Sequence, residues 1–358
     1  MTGTDTAQQR LFSQHLAGPS FEQPADIVSW LGAVQAQEFA GAKWATAQRT
    51  RSLSEVEINR AFSQGSILRT HILRPTWHFV TPADIRWMLR LTAPRVNAVN
   101  ATYYRKLELD DSVFNRSNAM LARSLEGGNQ LTRSELQSSL QRDGVSKITD
   151  DRLRLAYIMM RAELDGVICS GALRGKQHTY ALLDERAPLT QTLERDEALA
   201  ELTRRYFSSH GPATLKDFVG WSGLAPSDAR DGLEMVKSQL DQEVAQSKTY
   251  WFSQRFSAQK LRSPIAHLLP AFDEFTVAYR DSGAKLDRQY AGPATVSLGP
   301  VITIDGVITG SWKRTLSKKS VSIEIKPFRA LTEAEEQAIM AAANRYGAFL
   351  GLPVVLSY

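Results

Sequence analysis

The sequence has very little cysteine: Cys169 is the single one among 358 residues. One cysteine cannot form an internal disulfide or a cysteine-rich zinc module, and its scarcity fits a reducing cytosol. Cys169 follows the apolar pair Val167-Ile168 in a run typical of a strand. This setting favours a buried small hydrophobe over a nucleophile.

Long hydrophobic runs are also missing. The longest uncharged run, Gln289 to Ile304, is interrupted by two glycines and two prolines, so no transmembrane helix fits the sequence. The first ten residues, MTGTDTAQQR, have no apolar core and therefore no visible signal peptide. We expect a cytoplasmic protein without a membrane partner.

Several familiar catalytic signatures are absent. The chain contains no G-x-x-x-x-G-K-[ST], H-E-x-x-H, C-x-x-C or G-x-S-x-G motif, and its six histidines are scattered. These absences argue against a phosphate-loop NTPase and a metal hydrolase. We expect neither a metal nor a cofactor.

Positive charge is unevenly distributed along the chain. The net charge is +5, from 43 Lys/Arg and 38 Asp/Glu. Arg60–Lys106 holds eight basic residues and one acid, and Gln254–Arg329 holds twelve and six, whereas Gln191–Tyr250 is net negative. Two basic blocks around an acidic one indicate a polyanion-binding surface, with nucleic acid as the favoured partner. A mildly basic soluble enzyme is the alternative.

One arrangement of elements is predicted three times: two or three helices followed by a two-stranded hairpin. The predicted hairpins are Ile67–Leu73 with Thr76–Thr81, Val167–Ser170 with Gln177–Leu182, and Gln242–Ala245 with Thr249–Ser253. This order is typical of the winged helix, a relative of the helix-turn-helix. We expect winged-helix domains at residues 1–110, 111–190 and 191–260.

The remainder, residues 261–358, changes character. It reads as short strands separated by Gly and Pro turns, including a predicted strand at Phe275–Tyr279, and ends in a helix from Glu333 to about Phe349. We expect a small antiparallel sheet or barrel. The predicted fold class is α+β, with tandem winged-helix domains followed by a β-rich, barrel-like C-terminal domain that carries the terminal helix.

Two glutamines stand out in the stretch Leu31–Phe39, LGAVQAQEF. Gln35 and Gln37 are predicted to end an apolar helix, where their amides could point into a common space. Apolar neighbours would make an unpartnered amide costly there. The spacing alone favours a plainer interpretation, in which both amides satisfy the last carbonyls of the helix.

Five blocks of the sequence carry a resemblance to a known family. They are LGAVQAQEFAGAKWATAQR (Leu31–Arg49), RTHILRPTWHFVTPADIRWMLRLTAPR (Arg69–Arg95), GPATLKDFVGWSGL (Gly211–Leu224), LLPAFDEFTVAYRD (Leu268–Asp281) and ITIDGVITGSWKR (Ile302–Arg314). Together they resemble the AlkZ/YcaQ-type winged-helix DNA glycosylases over nearly the whole chain. The resemblance implies tandem winged helices and a β-rich C-terminal part that form a concave DNA-binding surface. It also implies hydrolytic removal of N7-alkylated purines, including bulky adducts and, in some members, interstrand crosslinks.

The family's catalytic motif is a glutamine, an aliphatic residue and then a glutamine or aspartate. Gln35-Ala36-Gln37 matches the Gln-x-Gln form, so the resemblance implies that Gln35 and Gln37 are catalytic. An amide cannot act as a general base but can orient water. An N7-alkylated purine is already cationic and leaves readily. No Schiff-base lysine stands out, Lys43 being nearest, so we expect a monofunctional glycosylase.

Further residues are expected around the two glutamines. Trp44, His78 and Asp273 are candidate supporting residues. His78 would bond the backbone, contact a DNA phosphate or shuttle a proton, or else be structural. Asp273, beside Glu274, would assist the water or pair with an arginine. The candidate DNA-binding residues are Arg69, Arg74, Trp312, Lys313, Arg314, Lys318 and Lys319, the last five from a basic hairpin whose alternative is a solvated lysine turn.

The expected partner is double-stranded DNA containing alkylated purines, bound by a monomer associated with the nucleoid. The alternative is a non-enzymatic winged-helix DNA-binding protein or transcriptional regulator, because a fold does not fix a function. Regulators usually dimerise on palindromic half-sites. Three unequal modules in one chain instead favour a monomer that wraps a lesion.

Overall fold

One order of elements occurs three times along the chain: a helix, a short extended segment, two helices and a two-stranded hairpin. The computed structural model describes residues 3–18, 20–142, 151–188, 193–253, 263–280 and 299–358. A larger sheet follows the three units. Among the described helices, none has the length and apolar composition that a membrane span requires.

The first unit follows a helix, α1 (Gly3–Ser13). Its elements are α2 (Pro24–Leu31), β1 (Val34–Gln35), α3 (Phe39–Ala47), α4 (Glu55–Gln64), β2 (Leu68–His71) and β3 (Trp77–Val80). The strands form an antiparallel sheet in the order β1-β3-β2. Ser54 and Glu57 form a capping box that starts α4, and Gly65 ends it in the left-handed conformation, as such helix ends require.

The second unit follows a helix of 22 residues, α5 (Ile85–Lys106), which the sequence analysis did not predict. The elements are α6 (Asp111–Leu125), β4 (Leu131–Thr132), α7 (Arg133–Leu140), α8 (Arg152–Leu164), β5 (Ile168–Ser170), β6 (Thr179–Leu182) and the single turn α9 (Leu183–Arg186). The strand order β4-β6-β5 repeats that of the first unit. A capping box of Thr132 and Glu135 starts α7.

The third unit repeats the order with one difference. Its elements are α10 (Arg195–His210), α11 (Leu215–Ser222), α12 (Pro226–Val236), β7 (Asp241–Ala245) and β8 (Lys248–Phe252). A bridge between Ala213 and Trp251 takes the place of the first strand. The domain boundaries predicted near residues 190 and 260, and parts of the basic block Gln254–Arg329, lie outside the described residues.

A small antiparallel sheet or a barrel was expected for the C-terminal part, and the described residues form an open sheet. Its elements are β9 (Ala266–Leu269), α13 (Glu274–Val277), β10 (Val301–Ile304), β11 (Val307–Leu316), β12 (Val321–Pro327), α14 (Glu333–Leu350) and β13 (Val354–Ser357). The strand order is β13-β12-β11-β10-β9, antiparallel except for β12 with β13. Within the described residues β13 and β9 are free edges, so the barrel prediction is wrong.

The strand predicted at Phe275–Tyr279 is also wrong, because α13 occupies most of it. The Asp273 side chain accepts a hydrogen bond from the Phe275 backbone N–H at 2.9 Å and so caps this short helix. An apolar run of this length does not distinguish helix from strand by its periodicity.

Two hydrophobic clusters join the first unit to the rest of the molecule. In one, Trp44 packs with Tyr346 of α14 and with the C-terminal sheet. In the other, Leu73, from the turn between β2 and β3, belongs to the same core as Trp221 of α11. The end of the first hairpin therefore lies where the first unit, the third unit and residues 273–280 meet.

Candidate active site

Gln35 lies in a strand, not at a helix end as the sequence predicted. α2 ends at Leu31, where Gly32 adopts a φ of +78°. The chain then pairs with β3, so that Gln35 stands opposite His78. The edge of the first hairpin supplies this backbone pairing, and no short-range pattern in the sequence signals it.

The two glutamines flank the buried residue Ala36. Val34 and Ala36 are 1% and 0% exposed and belong to the core, and the pairing continues through the Ala36 N–H to the Trp77 carbonyl at 2.7 Å. Because side chains alternate along an extended backbone, Gln35 projects to the side opposite Val34 and Ala36. Gln37 follows in the bend after β1, and the common space expected for the two amides stays a prediction.

The amide of Gln35 is oriented by Arg74. Nη2 of Arg74 donates to Oε1 of Gln35 at 3.0 Å, and the Gln35 side chain is almost buried, 8% exposed. A guanidinium has donors only, so the oxygen end of the amide must face it. The NH₂ end, together with the second lone pair of Oε1, is left to meet a water or substrate.

His78 contacts the guanidinium of Arg74. Its Nδ1 lies 2.9 Å from the Thr76 carbonyl and its Nε2 lies 3.3 Å from Nη2 of Arg74. The carbonyl requires a proton on Nδ1, which leaves Nε2 as the acceptor. Burial, and then the charge of Arg74, lower the pKa of His78 to about 3. His78 is fully buried, and of the roles expected for it the backbone bond is the one observed.

A buried carboxylate, Glu274, lies beneath β1. Its Oε1 accepts from the Gln35 backbone N–H at 2.8 Å, its Oε2 accepts from Nε1 of Trp221 at 2.8 Å, and Nε2 of His210 is 3.4 Å away. Burial by itself would raise the pKa of Glu274. Its bonds with His210 and Gln35 and the charge of Arg74 lower that pKa to about 2 instead. Glu274 is therefore a buried anion.

Trp221 and His210 are site residues that the sequence analysis missed. The carbonyl of Trp221 accepts from Nη1 of Arg74, so one residue of α11 contacts both Arg74 and Glu274. The sequence signal was indirect: Trp221 and Glu274 stand in two of the blocks that carry the family resemblance. Nothing in their local spacing relates them to Gln35.

Gln37 is held far more loosely than Gln35. Its side chain is exposed, and its Oε1 accepts from the Trp77 backbone N–H at 3.4 Å. The neighbouring Trp77 ring is covered by Arg69, whose Cζ lies 4.3 Å from the ring centroid. Nε of Arg69 also donates to the Ala36 carbonyl at 3.0 Å. Arg69 and Arg74 therefore both donate hydrogen bonds to the segment that carries the two glutamines.

Trp44 and Asp273 are structural. Trp44 is 3% exposed, and its Nε1 donates to the Leu268 carbonyl at 2.7 Å. Asp273 makes a bidentate ion pair with Arg49 at 2.7 and 2.9 Å, and both side chains are fully buried. Of the two roles expected for Asp273, pairing with an arginine is the observed one.

Trp312 is the buried residue of the basic hairpin. It is 5% exposed, its Nε1 donates to the Leu269 carbonyl at 2.8 Å, and its ring packs edge-on against Tyr346. The ring is therefore covered by protein in this structure, and the DNA contact expected of Trp312 stays a prediction.

The cations of the same hairpin differ in exposure. Arg314 is half-buried, donates from Nη1 to the Tyr346 hydroxyl and lies 3.7 Å from a Glu38 oxygen. Lys313, Lys318 and Lys319, which we term the hairpin lysines, are exposed at the end of β11 and in the turn before β12. They form the accessible positive patch of this hairpin.

No group of three or more His, Cys, Asp or Glu side chains within the described ranges is arranged to hold a metal ion.

Comparisons with known proteins agree on one family. A family model described as DNA glycosylase AlkZ-like matches residues 28–349. The interstrand DNA cross-link repair glycosylase of Streptomyces sahachiroi is 25% identical over 320 residues, which cover 85% of each chain. The solved structure of Streptomyces sahachiroi DNA glycosylase AlkZ matches all of both chains with a TM-score of 0.83 at 21% identity, which shows a shared fold. Since the family model spans most of the sequence, this protein belongs to the AlkZ-like DNA glycosylase family.

Proposed function

We propose that the protein is a monofunctional glycosylase that hydrolyses the N-glycosidic bond of N7-alkylated purines in double-stranded DNA. The observation that supports this most is the Gln35 amide, whose Oε1 is fixed by Nη2 of Arg74 at 3.0 Å. A relative is named as an interstrand cross-link repair glycosylase, so bulky adducts and crosslinks are included among the proposed substrates.

In the proposed reaction the C1′–N9 bond breaks and its electron pair goes to the purine, which neutralises the positive charge of the alkylated base. The sugar passes through an oxocarbenium-like state, and the water oxygen bonds to C1′. The proton of that water goes to solvent, because a glutamine amide does not accept it. The products are the free alkylated base and an abasic site.

The site would lower the barrier by positioning and by electrostatics. Gln35 and Gln37 would orient the water, and their amide dipoles would stabilise the developing positive charge. Arg74 alone would repel a cationic sugar. The buried anion Glu274, which accepts from the Gln35 backbone N–H, offsets that charge. An unmodified purine is a poor leaving group, so these weak groups would spare normal DNA.

We further propose that the three repeated units are winged helices that bind DNA as a monomer. The hairpin lysines, which are exposed, would contact phosphates, and the two basic blocks would face the same duplex. Phosphate contacts of this kind supply affinity and position the protein without reading sequence. The protein would act at the nucleoid in the cytoplasm.

The test is an excision assay on a duplex that carries one N7-methylguanine. After incubation, alkali nicks each abasic site. The wild-type protein should give cleavage that depends on alkali, and the Gln35→Ala, Gln37→Ala double variant should give none. Gln64→Ala, an exposed glutamine on α4, is the control. Unaltered excision by the double variant contradicts the mechanism, and nanomolar binding to one undamaged sequence without excision favours a regulator.

A further inference from the structure

A cavity of about 520 Å³ lies in the third unit, between the start of α11 and the strand β8. Trp251 and three cations, Lys216, Lys248 and Arg280, contribute to its walls. Its volume falls within the range of about 300–1,000 Å³ that small-molecule sites occupy. The cavity is separate from the glutamines and has no part in the reaction described above.

The charge of this cavity is positive. Asp217 is the one acid among its lining residues, and its carboxylate is already bonded: Oδ2 accepts from the Thr214 N–H at 2.9 Å, and Oδ1 accepts from the Arg280 N–H at 2.7 Å. Lys216 and Arg280 are exposed. The walls therefore suit an anionic ligand.

Trp251 adds an aromatic residue to the cavity wall, on a strand whose backbone is held in place. Its backbone exchanges two hydrogen bonds with Ala213, at 2.8 and 3.1 Å, and the indole is half-buried beside the cavity. Aromatic side chains of nucleic-acid-binding proteins serve as platforms on which unpaired bases stack. Cations together with an aromatic face are the features that bind unpaired nucleotides.

The cavity is connected to the glutamine site through α11. Arg280 packs so closely on Gly220 that a side chain there would collide with its Nε. The next residue, Trp221, accepts from Arg74. α11 has eight residues and so spans about 12 Å. Residues near the start of α11 therefore line the cavity, and Trp221 near its end contacts Arg74.

We propose that this cavity binds an unpaired nucleotide of the DNA strand, with its base on Trp251 and its phosphate on Lys216 and Arg280. A base within a duplex remains stacked between its neighbours and must leave the stack to enter a cavity. The ligand is therefore a nucleotide from an opened stretch of DNA. This inference rests on the proposed function, because it assumes DNA as the substrate.

The test is equilibrium binding of the full chain to an undamaged duplex with a three-nucleotide single-stranded gap, and to the same duplex fully paired, at one salt concentration. The gapped duplex should bind about 5- to 100-fold more tightly, the range that one stacked base contributes. Trp251→Leu should remove most of this preference, and Trp251→Phe should keep it.

A second variant keeps the proposal testable if Trp251→Leu does not fold. Lys216→Ala with Arg280→Gln changes two exposed side chains and should also remove most of the preference. Lys237→Ala is the matched control, since this exposed lysine pairs with Glu234 and does not line the cavity. Equal affinity of the wild type for both duplexes, or a preference that survives in a folded variant, overturns the proposal. Because the DNA is undamaged, the result is independent of whether Gln35 supports excision.

Discussion

Arg74 donates from Nη2 to Oε1 of Gln35 at 3.0 Å, across 39 residues of sequence. This contact joins the turn of the first hairpin to β1 and decides which end of the Gln35 amide is available to a ligand. The same guanidinium reaches the Trp221 carbonyl and Nε2 of His78. In the proposed mechanism these bonds make Arg74 a positioning residue, and the DNA contact expected of its side chain stays a prediction.

Replacing Arg74 by lysine should slow base excision by roughly 10- to 100-fold, the cost of misplacing a group that positions a reactant. Lysine keeps the charge but lacks the planar fork that bonds three partners at once. The measurement is single-turnover excision of N7-methylguanine, with duplex affinity measured in parallel. Arg60→Lys, at an exposed position of α4, is the control. A loss of affinity with an unchanged excision rate would show that Arg74 is a DNA contact instead.

Gln35→Ala and Gln37→Ala should both slow excision, by about 10- to 1000-fold, the scale of losing one preorganised polar group. Their effects on stability should differ. Gln35→Ala leaves a half-buried guanidinium short of an acceptor and should lower the free energy of unfolding by about 1–3 kcal/mol. Gln37 is exposed, so Gln37→Ala should change it by less than about 0.5 kcal/mol. Excision rates and thermal midpoints of the same two variants are the readouts, and a normal rate for Gln37→Ala would remove it from the site.

Replacing the hairpin lysines together by alanine should weaken binding to any duplex. Removing one phosphate-binding lysine should reduce the slope of log affinity against log salt by about 0.9. Arg314 is engaged with Tyr346, so adding Arg314→Ala should change the slope little. Titrations at several salt concentrations measure this, with Lys237→Ala as a control that removes one exposed positive charge elsewhere. An unchanged slope in the triple variant would exclude the hairpin from the DNA surface.

Acid should destabilise the protein through its buried histidines. Burial and the charge of Arg74 lower the pKa of His78 to about 3, and burial and the charge of Arg345 lower that of His267 to about 4. In the unfolded chain both pKa values return to about 6.5. At pH values between the folded and the unfolded pKa, the unfolded chain binds more protons than the folded protein. The stabilisation that comes from keeping these histidines neutral is therefore complete above about pH 6.5 and decreases as the pH falls.

The thermal midpoint should therefore decrease between pH 7 and pH 4. Each histidine should lower the free energy of unfolding by up to about 1.4 kcal/mol per pH unit over this range. His267→Gln retains a donor for the Leu16 carbonyl, which Nε2 of His267 now approaches at 2.9 Å. This variant should show a shallower decrease than the wild type. A midpoint that does not vary over this range would contradict the assignment of neutral buried histidines.

Local features of the sequence were sufficient for most helices and hairpins. Capping boxes such as Thr132-x-x-Glu135 and the glycine after α4 act within a few residues, so their effect can be read from spacing. The paired glutamines were also proposed as catalytic from the sequence, because the resemblance is carried by contiguous motifs; this role stays a prediction.

Contacts between distant segments decided the rest. Gln35 became part of a strand because β3, more than forty residues later, offers its edge. Glu274 became a buried anion and Asp273 a partner of Arg49 through bonds to residues over 200 positions away. Adjacent carboxylates look alike in sequence, and only the folded chain decides which donors each one meets. Burial then determines their charge state, because desolvation and neighbouring donors act through space rather than along the chain.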